Sequence, residues 1–528
     1  MPAVFHSRLL PWIVLVLLLL PIWSNAYFLT GDGPCHLYNA KVWFDMIHRR
    51  DFNFFNQYMY LNLNLEPNYF GHFVLGLLME VFPPVLSEKI LQSAYVILFF
   101  AGFRFVILQI NPSRSWLSLL AAPFVYHHVF QMGFYNFSFS LAFAFWMIGF
   151  WLQWKNELHD ARKLWLAFLT LLCYFAHPVG LVIGLFAIAV LFLRDQLPTI
   201  KTDFQAVFAR AMALLAAILP VLVLMWAFLF RKPGASITGK EPFAQLLNDL
   251  IHLTSLIAVT DFEKHLAQGT AIFVGILLLS AMVLRLPRFR IHKSDIFFLI
   301  FISWLLFYFF SPAGFAGAGV LGIRLQIIPY LMLLLWLGSI EWTKAFQWLI
   351  STVAILAVGS FLAVRMPVYA KLSNAIEEIT SVMPHLENQK TVLNLSYSFN
   401  GKTPSGDMIA NRIWLFMHAA DYVGTEKSIL MMPNYEGGTF NFPLIWRWQH
   451  EPFSQIGNLE AIPPQANFLD YPTRTGGRID YVLGWCMDQD WIEHPDTKNV
   501  LSQLEQGYEL VFTSPNGLAK LYRRKNGF

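Results

Sequence analysis

The chain has 528 residues, of which 56% are hydrophobic and 13% charged, and its mean hydropathy is +0.49. Ordinary soluble domains carry about 25% charged residues, so the composition excludes a soluble globular protein and predicts a polytopic α-helical membrane protein. The net charge of +4 is spread along the chain and leaves no nucleic-acid footprint. Cys35, Cys173 and Cys486 lie far apart with no CxxC, which excludes zinc-ribbon and redox motifs. Free thiols are expected, with a Cys35–Cys486 disulfide as the alternative.

The first apolar run, Leu9 to Phe28, is long enough to span despite Pro11 and Pro21. Arg8 and the "SNA" before Tyr27 also fit a cleaved signal peptide. Both readings put Asp32 on the translocated side. Further spans are expected at 88–108, 115–131, 134–153, 163–176, 177–194, 209–230, 270–287, 295–311, 319–338 and 343–365. Basic loops orient them: Arg104 and Arg114; Lys155, Arg162 and Lys163; Arg194, Lys201 and Arg210; Arg285, Arg288, Arg290 and Lys293 all fall on one, cytoplasmic, face. The stretch 68–84 is apolar but short and holds His72, Glu80 and two prolines. It is expected to be interfacial or re-entrant; the alternative is that it spans and that 163–176 with 177–194 is one broken helix. The count is about eleven transmembrane helices, with the N-terminus inside.

Two domains are expected: a membrane domain over 1–365, with a first outer loop at 29–87, and a small extracytoplasmic α/β domain over 366–528. Strand-like runs occur at "TVLNLSYSF", "SILMMPNYE", "IDYVLGW" and "YELVFTS". "DMIANRIWLFMHAADYV" has the period of an amphipathic helix. A turn at Pro515-Asn516-Gly517 introduces a last strand.

The unusual polar residues gather on the outer side. "TGDGP" is a turn in which Asp32 either caps a helix opening at Pro34 or stands as a rigid carboxylate for general-base or metal chemistry. Asp32 and His36 are four apart and share a helix face. Arg324 follows a glycine-rich turn inside an apolar span, where an arginine costs about 2.5–3.5 kcal/mol. It either snorkels, pairs with an acid, or meets a lipid phosphate. Glu66, His127, Asn136, His177 and Asp261 are further candidates for substrate or metal contact; His177, before Pro178, also reads as a helix-end residue. No HExxH, GxSxG, P-loop or strand–helix GxGxxG occurs. Trp446 and Trp448 are candidates for stacking on sugar rings, with burial as the alternative.

The order of the blocks is informative. "GDGPCHLYNAKVW" follows the first helix, and then come "EPNYFGHFVLGLLMEVFPPVLSEKILQ", "GFYNFSFSLAFAFW", "FAHPVGLVIG", "SPAGFAGAGVLGIRLQIIPYLMLLL" and a soluble C-terminal part. This arrangement resembles the GT-C class of integral membrane glycosyltransferases, which includes dolichyl-phosphate-mannose protein mannosyltransferases and lipid A aminoarabinose transferases. The resemblance implies transfer of a sugar from a polyprenyl-phosphate carrier, among membrane lipids, to a lipid, glycan or protein acceptor at the outer face. It assigns the essential acid of the first loop to Asp32 and the donor-phosphate cation to Arg324. It also implies a divalent ion, magnesium or manganese. The chain departs from the pattern where a second acid is common: Gly33 or Pro34 stands there, and Asn136 replaces an acid in a later turn. Asp45, Glu66 and Asp261 are the substitutes on offer. A flippase or transporter of lipid-linked glycan, or a non-enzymatic assembly protein, are the competing readings. The location expected is a bacterial inner membrane with the C-terminal domain in the periplasm.

Overall fold

The structure is a computed structural model and describes residues 9–231, 239–285, 292–314, 319–487 and 490–527. Arg8, Lys232, Arg288, Arg290 and the centre of the glycine-rich run before Arg324 lie outside those residues. In chain order the main elements begin with α1 (Leu10–Trp23), α2 (Gly33–Ile47), α3 (Phe52–Tyr58), β1 (Met59–Leu61), α4 (Phe70–Met79) and α5 (Pro84–Ile110). There follow α6 (His128–Gln131), α7 (Tyr135–Trp154), α8 (Asp160–Ala176), α9 (Pro178–Gln196), α10 (Phe204–Phe230) and α11 (Phe243–His252). The helical part closes with α12 (Lys264–Arg285), α13 (Ile296–Phe310), α14 (Leu321–Leu337) and α15 (Lys344–Thr380). Six strands complete the chain: β2 (Lys390–Ser396), β3 (Ile429–Met431), β4 (Leu444–Trp446), β5 (Tyr481–Trp485), β6 (Tyr508–Thr513) and β7 (Ala519–Arg524).

Among the described residues seven helices are long and apolar enough to cross a membrane: α5, α7, α9, α10, α12, α13 and α15, the last three with the short 3-10 turns that adjoin them. The expected span at 115–131 is not one α-helix. Pro112–Phe124 winds as a 3-10 helix with Arg114 out of helical geometry and Pro123 inside it, and α6 follows separately. Proline has no N–H to give to an α-helical ladder, so two prolines in this stretch favour the tighter, interrupted path. Helix α4, at 10 residues, reaches about 15 Å, half the roughly 30 Å of a hydrocarbon core. Helix α4 is accordingly not among the helices long enough to cross a membrane.

The chain divides into two compact units. One comprises Met1–Leu20, Ser93–Phe130 and Tyr135–Arg365; the other comprises Pro21–Gln92, Gln131–Phe134 and Met366–Phe528. In the first unit α7 packs on α8 and α9, and α13 packs on α14. Gly180 of α9 sits so close to α7 that a Cβ there would lie 2.4 Å from the Ser140 side chain. Small residues that let helix backbones approach are a usual device for apolar helices. Arg365 is buried and donates to Glu263 at 2.6 Å, to the Tyr126 carbonyl at 2.9 Å and to the Leu256 carbonyl at 2.7 Å. Glu263 in turn accepts from the backbone N–H groups of Ala258, Val259 and Thr260. A buried charge persists only when so satisfied.

The second unit holds a five-stranded sheet of order β3-β2-β5-β7-β6. β2 is parallel to β3 and β5, while β7 is antiparallel to β5 and β6. The strand-like runs in the sequence all become strands, and Gly517 supplies the positive φ of the turn before β7. Residues 407–423 do not form the expected amphipathic helix. They run irregularly and end in a 3-10 turn, Ala419–Thr425. Polar side chains in this run are needed elsewhere, as described next, and a regular helix would carry them away on its turning faces. Residues 29–87 belong to this same unit: β1 pairs antiparallel with β4, and α2 packs on α4 and on the 419–425 turn. The three cysteines are buried and free.

Candidate functional site

Helix α2 organises the centre of the second unit. Its polar residues Asp32, Cys35, His36 and Asn39 recur at three- and four-residue steps and so fall on one face. The approach to the helix is rigid. Gly31 N–H donates to Gln131 O at 2.9 Å and Asp32 N–H to Met132 O at 2.8 Å. Gly133 adopts φ +86°, and a Cβ on it would fall 2.4 Å from the Asp32 nitrogen. Only glycine satisfies both demands.

Asp32 occupies the N-cap position, but its side chain makes no capping hydrogen bond. Pro34 in the first turn lacks an N–H and reduces the demand for a cap. The carboxylate instead accepts from Tyr435 Oη at 2.8 Å, and its other oxygen lies 3.9 Å from His418 Nε2. It keeps 19% exposure while His418 keeps 5%. The His418 and Tyr435 rings are in contact, with centroids 4.9 Å apart. Burial, reinforced by Asp32, holds the Tyr435 phenol well above its ordinary range. Glu460 is half-buried; burial raises its carboxyl, His418 opposes the shift and Asp32 adds to it.

Further along the same face His36 Nδ1 contacts Glu436 Oε1 closely, and His72 Nε2, from α4, lies 2.9 Å from Glu436 Oε2. Asn39 Nδ2 also donates to that oxygen, at 2.8 Å. Glu436 and His72 are fully buried and His36 nearly so. Burial alone would raise the Glu436 carboxyl, but His72 and His36 outweigh it and hold it below the carboxylate range. Burial opposes protonation of His36, and Glu436 reverses that and raises it. Asn39 and Asn434 exchange amide hydrogen bonds at 3.1 and 2.6 Å. Burial pushes the Asp421 carboxyl well above its ordinary range, with the Cys35 hydrogen bond opposing. His36, His72 and Glu436 are the described residues whose donor atoms converge as metal ligands would.

The other sequence candidates are distributed as follows. Glu66 is buried in the same unit as Asp32 and His36. In the first unit Arg324, on α14, places Nη1 3.5 Å from His177 Nε2 and its guanidinium 6.0 Å from the Phe137 ring. His177 is the N-cap of α9, accepting from Val179 N–H at 3.2 Å. Asn136 is buried in the first turn of α7. His127 lies in the aromatic core, accepting from Phe130 N–H beside the Tyr95 and Phe99 rings. Asp261 is on the surface, paired with Lys264 at 3.1 Å. Trp446 is buried and donates to the Asn434 carbonyl at 2.8 Å, a structural contact, whereas Trp448 is 75% exposed.

Sequence reasoning missed Tyr435, Glu436, His418, Asp421 and Asn434 as site residues and left His72 as an oddity of a short helix. No family model matches the chain, and no curated protein matches it.

Proposed function

We propose that the protein is an integral membrane glycosyltransferase that takes a sugar from a polyprenyl-phosphate carrier, with Asp32 as its general base. The observation that carries this reading is the Asp32 carboxylate: it stands at a helix cap without capping, is fixed by Tyr435 Oη, and retains access to solvent in an otherwise buried polar centre. In the proposed step the acceptor hydroxyl attacks the anomeric carbon. The bond from that carbon to the phosphate oxygen breaks, and the polyprenyl phosphate leaves with the electron pair. The hydroxyl proton passes to Asp32. The phosphate leaves readily because its charge is delocalised. The seven apolar helices fit a lipid-borne donor. The reading includes about eleven spans and an extracytoplasmic second unit in a bacterial inner membrane.

The test is turnover of a panel of labelled polyprenyl-phosphate sugars by purified protein and by Asp32→Asn. The expected result is release of the carrier by the wild type and its loss in a folded Asp32→Asn. Equal turnover by both removes Asp32 from the chemistry.

A further inference from the structure

We propose that His36, His72 and Glu436 form a site for a transition-metal ion of the zinc class, and that the ion ties α2, α4 and the turn at 435–438 together inside the second unit. The inference does not depend on the glycosyltransferase reading. One donor atom from each of the three side chains lies within 4.8 Å of the others. The imidazoles of His36 and His72 meet at 77° with centroids 4.9 Å apart, so that two ring nitrogens face one carboxylate. Phe442 covers both rings, at 6.0 and 5.5 Å, and gives the site an apolar wall.

The donor chemistry selects the ion. Magnesium and calcium take oxygen ligands, and manganese favours carboxylate, carbonyl and water. Two imidazole nitrogens and one carboxylate oxygen would suit an imidazole-favouring transition metal such as zinc. The choice differs from the magnesium or manganese that the family resemblance implies. Asn39 Nδ2, at 2.8 Å from Glu436 Oε2, orients the carboxylate as the outer partners of metal ligands do. On binding, the ion takes the place of the protons held in the two His–carboxylate contacts, and those protons pass to solvent.

The three ligands are remote in sequence, so the ion closes long loops. Glu436 adjoins Tyr435, whose hydroxyl holds Asp32. The ion would therefore position Tyr435 through the backbone; His36, Glu436 and His72 are positioning residues with respect to Asp32.

The experiment uses the untagged full-length protein in detergent. Metal content is measured by mass spectrometry as purified; the protein is then stripped with a chelator and titrated with cobalt(II). Stoichiometric zinc, or stoichiometric uptake of cobalt with the visible bands of a four-coordinate nitrogen–oxygen site that zinc displaces, supports the proposal. In Glu436→Gln and His72→Phe, cobalt affinity should fall by more than the roughly 10- to 100-fold that loss of an outer partner costs. A wild-type protein that carries no transition metal and gives no cobalt bands overturns the proposal. So does a folded Glu436→Gln that retains stoichiometric metal. The wild-type titration decides the matter even where a variant does not fold. Metal without turnover would separate this inference from the enzymatic one.

Discussion

Gly133→Ala is the sharpest test of how Asp32 is held. The new Cβ would fall 2.4 Å from the Asp32 nitrogen, 2.6 Å from the Gly33 nitrogen and 2.9 Å from the Asp32 Cα. These are backbone atoms, so no side chain can rotate away. The residue must also keep φ +86°, a conformation that costs an L-residue about 1–2 kcal/mol. Forcing the backbones apart costs about 1–3 kcal/mol more, by analogy with overpacked cores. The sum, about 2–5 kcal/mol, is a large part of the roughly 5–15 kcal/mol that holds a domain folded. At about 2–4 °C per kcal/mol the midpoint should fall by about 4–20 °C. The assay is thermal unfolding in detergent, followed by near-UV circular dichroism. Gly269→Ala is the control. Nothing lies within 4 Å of a Cβ there, and alanine in a helix should stabilise by up to about 1 kcal/mol. A Gly133→Ala protein within about 1 kcal/mol of the wild type would mean that the Gly31–Asp32 and 131–133 backbones are not in the described contact.

Tyr435→Phe removes the hydroxyl that donates to Asp32 at 2.8 Å. A hydrogen bond to a charged group contributes about 1.5–3 kcal/mol, so kcat should fall about 10- to 150-fold with KM little changed; an unchanged kcat would exclude Tyr435 as the residue that orients Asp32. Glu263→Gln leaves the Arg365 guanidinium buried without its counter-charge. It should cost about 3–5 kcal/mol, seen as a lower unfolding midpoint or loss of folded yield. Asp51 accepts hydrogen bonds from Ser428 and Gln389, which hold its carboxyl below the ordinary 3.8. Its contribution to stability is complete above pH 3.8 and is lost as pH falls through the lower folded value. Stability of the wild type should therefore fall more steeply below that pH than stability of Asp51→Asn, measured by denaturant titration; parallel curves would contradict the assignment.

Seven of the eleven expected spans fall on helices long and apolar enough to cross a membrane, because a run of eighteen or so apolar residues has few other fates; those at 9–28, 115–131, 163–176 and 319–338 do not. The sheet was legible for a related reason: β5 is a continuous apolar run, and β2 carries Val392, Leu393 and Leu395 in a short run rich in strand formers. The run at 407–423 misled because helical periodicity is a local signal. Here His418 and Asp421 face a centre built from residues nearly 400 positions away, and tertiary demand overrides propensity. The segment 115–131 failed at Pro123, which the hydropathy pattern does not weigh.

The candidate site divides along the same line. Asp32 and His36 were visible because a single helix turn sets them on one face. Glu436 was not, because "YEGG" carries no pattern that distinguishes a buried ligand from a solvated turn residue. Yet the helix face contained an unused clue. Asp32, Cys35, His36 and Asn39 form a largely buried polar stripe along one face of α2, and such a stripe demands partners. The polar residues at the far end of α2 are engaged elsewhere, Lys41 with Asp45 and His48 with Glu80, and the stripe finds its partners at a distance in sequence. His72 was one nearby candidate, beside His48 and Glu66, and it sits buried on the short helix α4. A polar stripe on one short helix and a lone histidine on another imply a third, acidic element. The packing of α2, α4 and the 435–438 turn around Glu436 supplies it.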